Sequence, residues 1–163
     1  MKIAPKMLAF GTVLVSLTFA VGACSNPAEK AIEKETGAKV KTDKDGNVKI
    51  KTKDGEAEFG EGASLPKTFP KSIPLPKSGA MISATTTAEG WMLQYRGMSA
   101  KDFTDVAAQI ESEGGTSTYE SEMEGMRSAS YELGEFSIQL MLITDADDAN
   151  ESMLSYVVSK TNQ

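Results

Sequence analysis

The chain has 163 residues, a net charge of −6, a single cysteine and no histidine. One cysteine excludes an internal disulfide, and the lack of histidine excludes Ser-His-Asp triads, Cys-His pairs and the usual zinc sites. Residues 61–163 carry seven basic and fifteen acidic side chains, so they lack the clustered lysines and arginines that bind phosphates. We therefore expect no nucleic-acid partner and no cofactor.

The first 23 residues have the pattern of an export signal. Lys2 and Lys6 give a short basic start, and the stretch from Met7 to Ala20 is apolar and is followed by small residues. A permanent membrane-spanning helix is the alternative, but it needs about 20 apolar residues. The stretch here is shorter, contains glycine and hydroxyl side chains, and lacks basic stop-transfer flanks. We predict a cleaved signal helix over residues 1–23.

The chain's only cysteine stands where this apolar stretch ends. The sequence Val21-Gly22-Ala23-Cys24 resembles the lipobox of bacterial lipoproteins, although Val21 stands where that family more often has leucine. The resemblance implies cleavage between Ala23 and Cys24, a diacylglycerol thioether on the Cys24 sulfur, and acylation of the new amino group. Two acyl chains anchor a protein stably, because each buried CH₂ contributes about 0.8 kcal/mol. The alternative is a chance cysteine behind an ordinary signal.

Two polar segments follow the cysteine. Residues 24–37 are predicted to be the lipidated N-terminus and a short spacer helix that ends at Gly37. Residues 38–60 alternate apolar and polar side chains and are interrupted by Asp45-Gly46 and Asp54-Gly55, which are typical of hairpin turns. They predict a polar β-meander with strands at 39–42, 48–53 and 56–60.

The next segment, residues 61–78, is rich in proline. Proline fixes φ, so extended geometry is expected over residues 65–76. We interpret the segment as a stiff connector, and the alternative is a ligand for a proline-binding module. The apolar side chains expected to pack along the following domain are Leu65, Phe69, Ile73 and Leu75.

Residues 79–163 are predicted to form one domain. Strands at 80–86 and 91–97 make a hairpin, and strands at 116–122, 126–133, 136–144 and 152–160 follow a helix. That helix begins at a capping box of Ser99 and Asp102 and ends at Gly114-Gly115. Its apolar residues recur at helical spacing, namely Phe103, Val106, Ala107 and Ile110.

This ββαββββ order predicts an α+β fold. One amphipathic helix packs on one face of an antiparallel sheet, and a polar β-ribbon and the N-terminal signal helix precede it. Trp91 and Tyr95 are expected in the core beneath the helix. The other face is expected to be wetter, with Gln94, Arg96, Ser128 and Ser130.

The loop before the last strand is a candidate metal site. Ca²⁺ takes six to eight oxygen ligands, and this loop is rich in them. The spacing does not match an EF-hand, since Ala149 occupies the fifth position, so a polar turn is the favoured interpretation. The speculative calcium ligands are Asp145, Asp147, Asp148, Asn150 and Glu151.

Two residue groups have a binding interpretation beside a structural one. Seven methionines remain after cleavage, and thioethers such as those of Met123 and Met126 suit Cu(I), but core filling is favoured. An aromatic platform is the alternative to core packing for Trp91, Tyr95, Tyr119 and Tyr131.

Carboxylates are the remaining route to catalysis. A pair of acids could hydrolyse a glycoside, but the acids here fall on turns and on the exposed helix face, where a solvated surface is favoured. The residues concerned are Glu111, Glu113, Glu122 and Glu124.

The mature chain also resembles small lipoproteins of unassigned function from Gram-positive, especially actinobacterial, genomes. The resemblance consists of a Lys/Asp/Gly-rich ribbon, a Phe-Pro-x-x-[Ile/Val]-Pro-x-Pro connector at residues 69–76, and a β-rich domain with a Gly90-Trp91 hairpin. It covers about residues 30–160 and implies a location without an activity.

These patterns together predict a lipoprotein held on the extracytoplasmic face of the cell membrane by the lipid on Cys24. Its expected role is non-catalytic binding or scaffolding, with an envelope protein or a cell-wall component as partner. The alternative is an envelope hydrolase that uses carboxylates on carbohydrate or peptide.

Overall fold

The structure is a computed structural model that describes residues 33–34 and 37–161. The predicted signal helix, the cleavage site, Cys24 and most of the predicted spacer helix therefore lie outside the described residues. Glu33 and Lys34 are helical, and the Gly37 N–H donates to the Glu33 carbonyl at 2.9 Å with a positive φ of 69° at the glycine. This geometry ends the turn at Gly37. Across the described ranges, no helix combines the length and apolarity needed to span a membrane.

Nine antiparallel strands form one sheet in the order β1-β2-β3-β4-β5-β9-β8-β7-β6. Each pair joins strands consecutive in the chain, except β5 with β9. Helix α1 (Ala100–Ser112) lies between β5 and β6 in the chain. The strands are β1 (Lys39–Thr42), β2 (Val48–Lys51), β3 (Gly55–Phe59), β4 (Ala80–Thr87), β5 (Gly90–Arg96), β6 (Thr116–Met123), β7 (Met126–Leu133), β8 (Phe136–Ile143) and β9 (Met153–Lys160).

The predicted α+β class is wrong, because the described chain is predominantly β. Its nine strands form a single sheet, and one α-helix packs on that sheet. The difference lies at the polar meander, which the sequence predicts as a separate ribbon before the domain. Strand β3 instead pairs with β4 over the registers Gly55–Thr87 to Phe59–Ser83. This pairing satisfies the backbone edge that β4 would otherwise leave open, so the meander extends the sheet.

The helix begins where its sequence predicts. The Ser99 hydroxyl accepts a hydrogen bond from the Asp102 N–H, and the Asp102 carboxylate accepts one from the Ser99 N–H at 2.8 Å. This capping box satisfies two amides that have no partner within the helix. Beyond the last turn, the Gly115 N–H donates to the Ile110 carbonyl, and a Cβ on Gly115 would collide with Ile110.

One face of the sheet, which we call the helix face, carries the core. Phe103, Val106 and Ile110 of α1 are buried against it. Alternate residues of the central strands point to this face, as the two-residue period of a strand requires. The buried strand residues are Ala84, Leu93, Tyr95, Ala129, Tyr131, Ile138, Leu140, Leu142, Leu154, Tyr156 and Val158.

The proline-rich connector covers the rest of this core. Phe69 and Ile73 are buried in it, and the Tyr156 hydroxyl donates to the Pro74 carbonyl oxygen at 2.7 Å. The Trp91 indole N–H donates to the Thr68 hydroxyl at 3.1 Å, and its ring meets that of Phe69 edge-on at 5.9 Å. Trp91 therefore packs half-buried against the core on the helix face, as the sequence predicts, but its neighbours Thr68 and Phe69 are connector residues.

Candidate binding surface

The opposite face of the sheet, which we call the open face, exposes apolar side chains. Seven large apolar residues are exposed in the described part of the chain, and the one that lies elsewhere is Leu65 of the connector. The other six have 41–58% of their surface accessible. They are Phe59, Met92, Tyr119, Met123, Met141 and Ile143.

The strand registers bring three of these exposed residues together with the half-buried Met126 and Met153 into one patch. Met123, Met126, Ile143 and Met153 are successive partners across β6, β7, β8 and β9. Met141 lies on the same face, two residues before Ile143. Neighbouring strands are about 4.8 Å apart, so these side chains touch or nearly touch. We call these five residues the methionine patch.

The open face is almost free of charge. Arg96 and Glu132 are the charged residues at its strand positions, and Arg96 is ion-paired with Glu61. The other charged strand residues of the described chain lie on the helix-face side, where Lys49 pairs with Glu58 at 3.1 Å and Lys51 with Glu56 at 3.5 Å. Although the chain has a net charge of −6, its charged strand residues are placed so that the open face is nearly neutral.

The prediction that the methionines fill the core is wrong for the open face. Met98 is fully buried and Met81 half-buried, whereas Met92, Met123 and Met141 are exposed. The alternation of side chains along a strand is the pattern that predicts their exposure. Met141 stands between Leu140 and Leu142, so a strand that buries both leucines must turn the methionine outward.

The predicted calcium loop folds as a polar turn. One Asp145 carboxylate oxygen accepts hydrogen bonds from the N–H groups of Asp147 at 2.8 Å and Asp148 at 3.0 Å, and these bonds lower the pKa of Asp145. The Asp148 carboxylate accepts a hydrogen bond from the Asn150 N–H. Glu151 is the last residue of the short 3-10 turn, and it is exposed. Within residues 33–34 and 37–161, no three His, Cys, Asp or Glu side chains converge to hold a metal.

The carboxylates proposed for catalysis are divided by the fold. Glu113 caps the end of α1 and Glu124 lies in the turn between β6 and β7. Glu111, Glu120 and Glu122 line a groove of 410 Å³ between α1, β6 and β7.

Two of the three groove carboxylates are already bonded to neighbours. Glu122 is ion-paired with Arg127 at 2.6 Å, and Glu120 accepts from the Ser117 hydroxyl at 2.9 Å. Burial, followed by the charges of Glu120 and Glu111, raises the pKa of Tyr131 in this groove. This is an acidic surface groove in which local partners occupy Glu120 and Glu122, and it offers no facing pair of free carboxylates.

The four aromatic residues do not share a platform. Tyr95 and Tyr131 are buried on the helix face, and burial raises the pKa of Tyr95 to about 12. Tyr119 is exposed on the open face, because a bulge between Ser117 and Tyr119 shifts the register of β6. The core interpretation therefore suits Tyr95 and Tyr131, while Tyr119 belongs to the open face.

Comparison with known proteins found no match to this chain among family models, curated proteins or solved structures.

Proposed function

We propose that the chain is a lipid-anchored protein of the extracytoplasmic membrane face that binds a protein partner through its open face and acts as a non-catalytic scaffold. The observation that carries this proposal is the open face, a nearly uncharged surface of the sheet on which six large apolar side chains are exposed. The anchor is the Cys24 lipid that the lipobox resemblance implies.

The chemistry of the open face favours a protein partner. The largest apolar patch of a typical monomer is about 300–600 Å² and is often functional. The methionine patch is surrounded by small hydroxyl side chains, including Ser121, Ser128 and Ser155, which can hydrogen-bond to a polar rim. Unbranched thioether side chains adapt to an irregular apolar surface more readily than branched ones.

The rigidity of the sheet also favours binding. The open face lies on strands that are hydrogen-bonded to their neighbours, and the core on the opposite face of β4, β5 and β7 to β9 holds those strands in place. A pre-organised surface loses little conformational entropy on association, so more of the contact energy becomes affinity.

The binding test uses two variants that differ in position and match in exposure. Met141 on the open face is 41% exposed, and Leu65 on the connector is 40% exposed. We expect Met141→Glu to reduce recovery of the co-purified partner from solubilised membranes at least tenfold, because a buried unpaired carboxylate is costly. Leu65→Glu should leave that recovery unchanged. Equal recovery with both variants would exclude the open face as the binding surface.

The anchor is tested separately at the cysteine. Cys24→Ser should abolish labelling of the chain by a fatty-acid probe and leave it uncleaved or released from the membrane. Persistent labelling of the Cys24→Ser protein would contradict the lipidation proposal without affecting the binding proposal.

A further inference from the structure

We infer that the partner covering the open face is a second copy of this chain, stacked face to face to form a two-layer β-sandwich. This inference rests on the proposed function and identifies the partner that the function requires.

The open face is large enough to form a stable interface with a second sheet of the same size. Nine strands about 4.8 Å apart span about 40 Å, and the strands β3 to β9 each present three to four outward side chains that span about 20 Å. The resulting area of roughly 800 Å² equals what each partner contributes to a standard stable interface. A single added strand or a short peptide would leave most of this face exposed.

The charge distribution permits self-association. Two chains of net charge −6 repel each other at most orientations. Stacking through the open faces directs the lysines and glutamates of β1, β2, β3 and β6 outward, since they lie on the helix-face side of the sheet. The interface then contains Arg96 and Glu132 as its charged strand residues, with Arg96 already neutralised by Glu61.

The strand order defines the orientation of the two copies. Strand β5 is the fifth of the nine strands and so lies at the centre of the open face. A two-fold axis along β5 therefore lets the two open faces overlap over their full width, with β3 of each copy over β8 of the other. Such an interface is isologous and closed, and its two layers pack about 10 Å apart.

This axis makes one residue diagnostic. Met92 is the exposed apolar residue of β5, so the axis brings Met92 of one copy next to Met92 of the other. In a Met92→Cys chain, a bis-maleimide reagent with a reach of about 10 Å, the spacing of stacked sheets, should link the two copies.

The experiment uses the full chain in intact membranes. Cys24 is the only native cysteine, so the unmodified protein controls for reaction at the anchor. Leu65→Cys provides a matched control, since Leu65 is 40% exposed and Met92 is 46% exposed. Gln94→Cys, also on the open face of β5, is the second test position in case Met92→Cys does not accumulate.

The expected result is a cross-linked product of twice the chain mass from Met92→Cys and Gln94→Cys, and at least tenfold less from Leu65→Cys. A product of another mass from the β5 positions would overturn the second-copy inference and leave the proposed function standing. If both β5 thiols react fully with a bulky single maleimide and form no cross-link, the open face is unoccupied, and both the inference and the proposed function are wrong.

Discussion

The two faces of the sheet are made by the same strands and have opposite roles. On β8, Leu140 is 1% exposed and its neighbour Met141 is 41% exposed. The helix face is covered by α1 and by the connector, while the open face presents side chains of similar size to solvent. The comparison shows that apolar residues alone do not define a core, because a second layer must be present to cover them.

Replacing one residue of each face on β8 tests this contrast most directly. Leu140→Ala should lower the free energy of unfolding by about 2–5 kcal/mol, because it removes transfer energy and leaves a cavity. Met141→Ala should lower it by less than about 1 kcal/mol in the isolated chain, whose own fold leaves that side chain in contact with water. Urea denaturation of both variants, at a dilution that keeps copies of the chain apart, measures the difference. Equal losses at that dilution would contradict the contrast between the two faces.

The helix that covers the core depends on its N-terminal cap. Ser99→Ala should lower the free energy of unfolding by about 1 kcal/mol, because the Asp102 N–H loses its acceptor. Thr104→Ala, in the exposed middle of α1, is the control and should change stability by less than about 0.5 kcal/mol. Thermal unfolding followed by circular dichroism distinguishes the two. A control as destabilised as the cap variant would exclude a specific capping effect.

A buried hydroxyl is one of the contacts that hold the connector over the same core. Tyr156→Phe should lower the free energy of unfolding by about 0.5–1.5 kcal/mol, since the Pro74 carbonyl loses its donor. Tyr119→Phe makes the same chemical change on the open face, where the ring is 56% exposed, and should have no measurable effect. Chemical denaturation measures both variants, and protease cleavage within residues 61–78 should increase for Tyr156→Phe alone.

Lowering the pH should destabilise α1 through protonation of Asp102. This effect should be smaller than those of Leu140→Ala, Ser99→Ala and Tyr156→Phe. Hydrogen bonds from Ser78 and then from Ser99 hold the pKa of Asp102 below 3.8. A carboxyl whose folded pKa is depressed stabilises the protein above its unfolded pKa, and this stability is lost as the pH falls through the folded pKa.

The pH dependence of Asp102→Asn tests that assignment. The free energy of unfolding of the native chain should decrease from pH 5 to pH 3, and the variant should show a shallower decrease. Asp43 and Asp145, whose pKa values are also lowered by hydrogen bonds, should keep part of the slope in the variant. Parallel curves for the two proteins would contradict a role for Asp102.

Local patterns in the sequence predict most elements of this fold. The Asp45-Gly46 and Asp54-Gly55 turns, the alternation along β7 and β8, and the Ser99 capping box all act over a few residues, and the structure has strands and a helix where they indicate. The pairing of β5 with β9 is different, because about 60 residues separate the partners and no short pattern specifies them. The β3–β4 pairing across the connector was missed for the same reason, and with it the fold class.

The candidate site was harder to predict than the elements. Methionine packs in cores and also on adaptable surfaces, so the residue type alone does not show where it lies. Core filling is the wrong prediction for the exposed Met92, Met123 and Met141. The acidic loop has the composition of a calcium site, although a polar turn is the favoured interpretation of its sequence, because the sequence does not show which backbone N–H groups its carboxylates accept. In the structure, the carboxylates of Asp145 and Asp148 accept hydrogen bonds from backbone N–H groups of the same loop, and these bonds stabilise the turn.

The position of β9 sets the order in which the sheet can be completed. It is the last strand of the sheet in the chain, and it lies between β5 and β8 in the sheet. A chain is synthesised from its N-terminus, so β1–β5 and β6–β8 are available as two separate half-sheets before residues 153–160 are made. Each half-sheet then has an unpaired strand at what will become the interior. A truncation before Met153 would therefore leave two aggregation-prone edges where the complete chain has its centre.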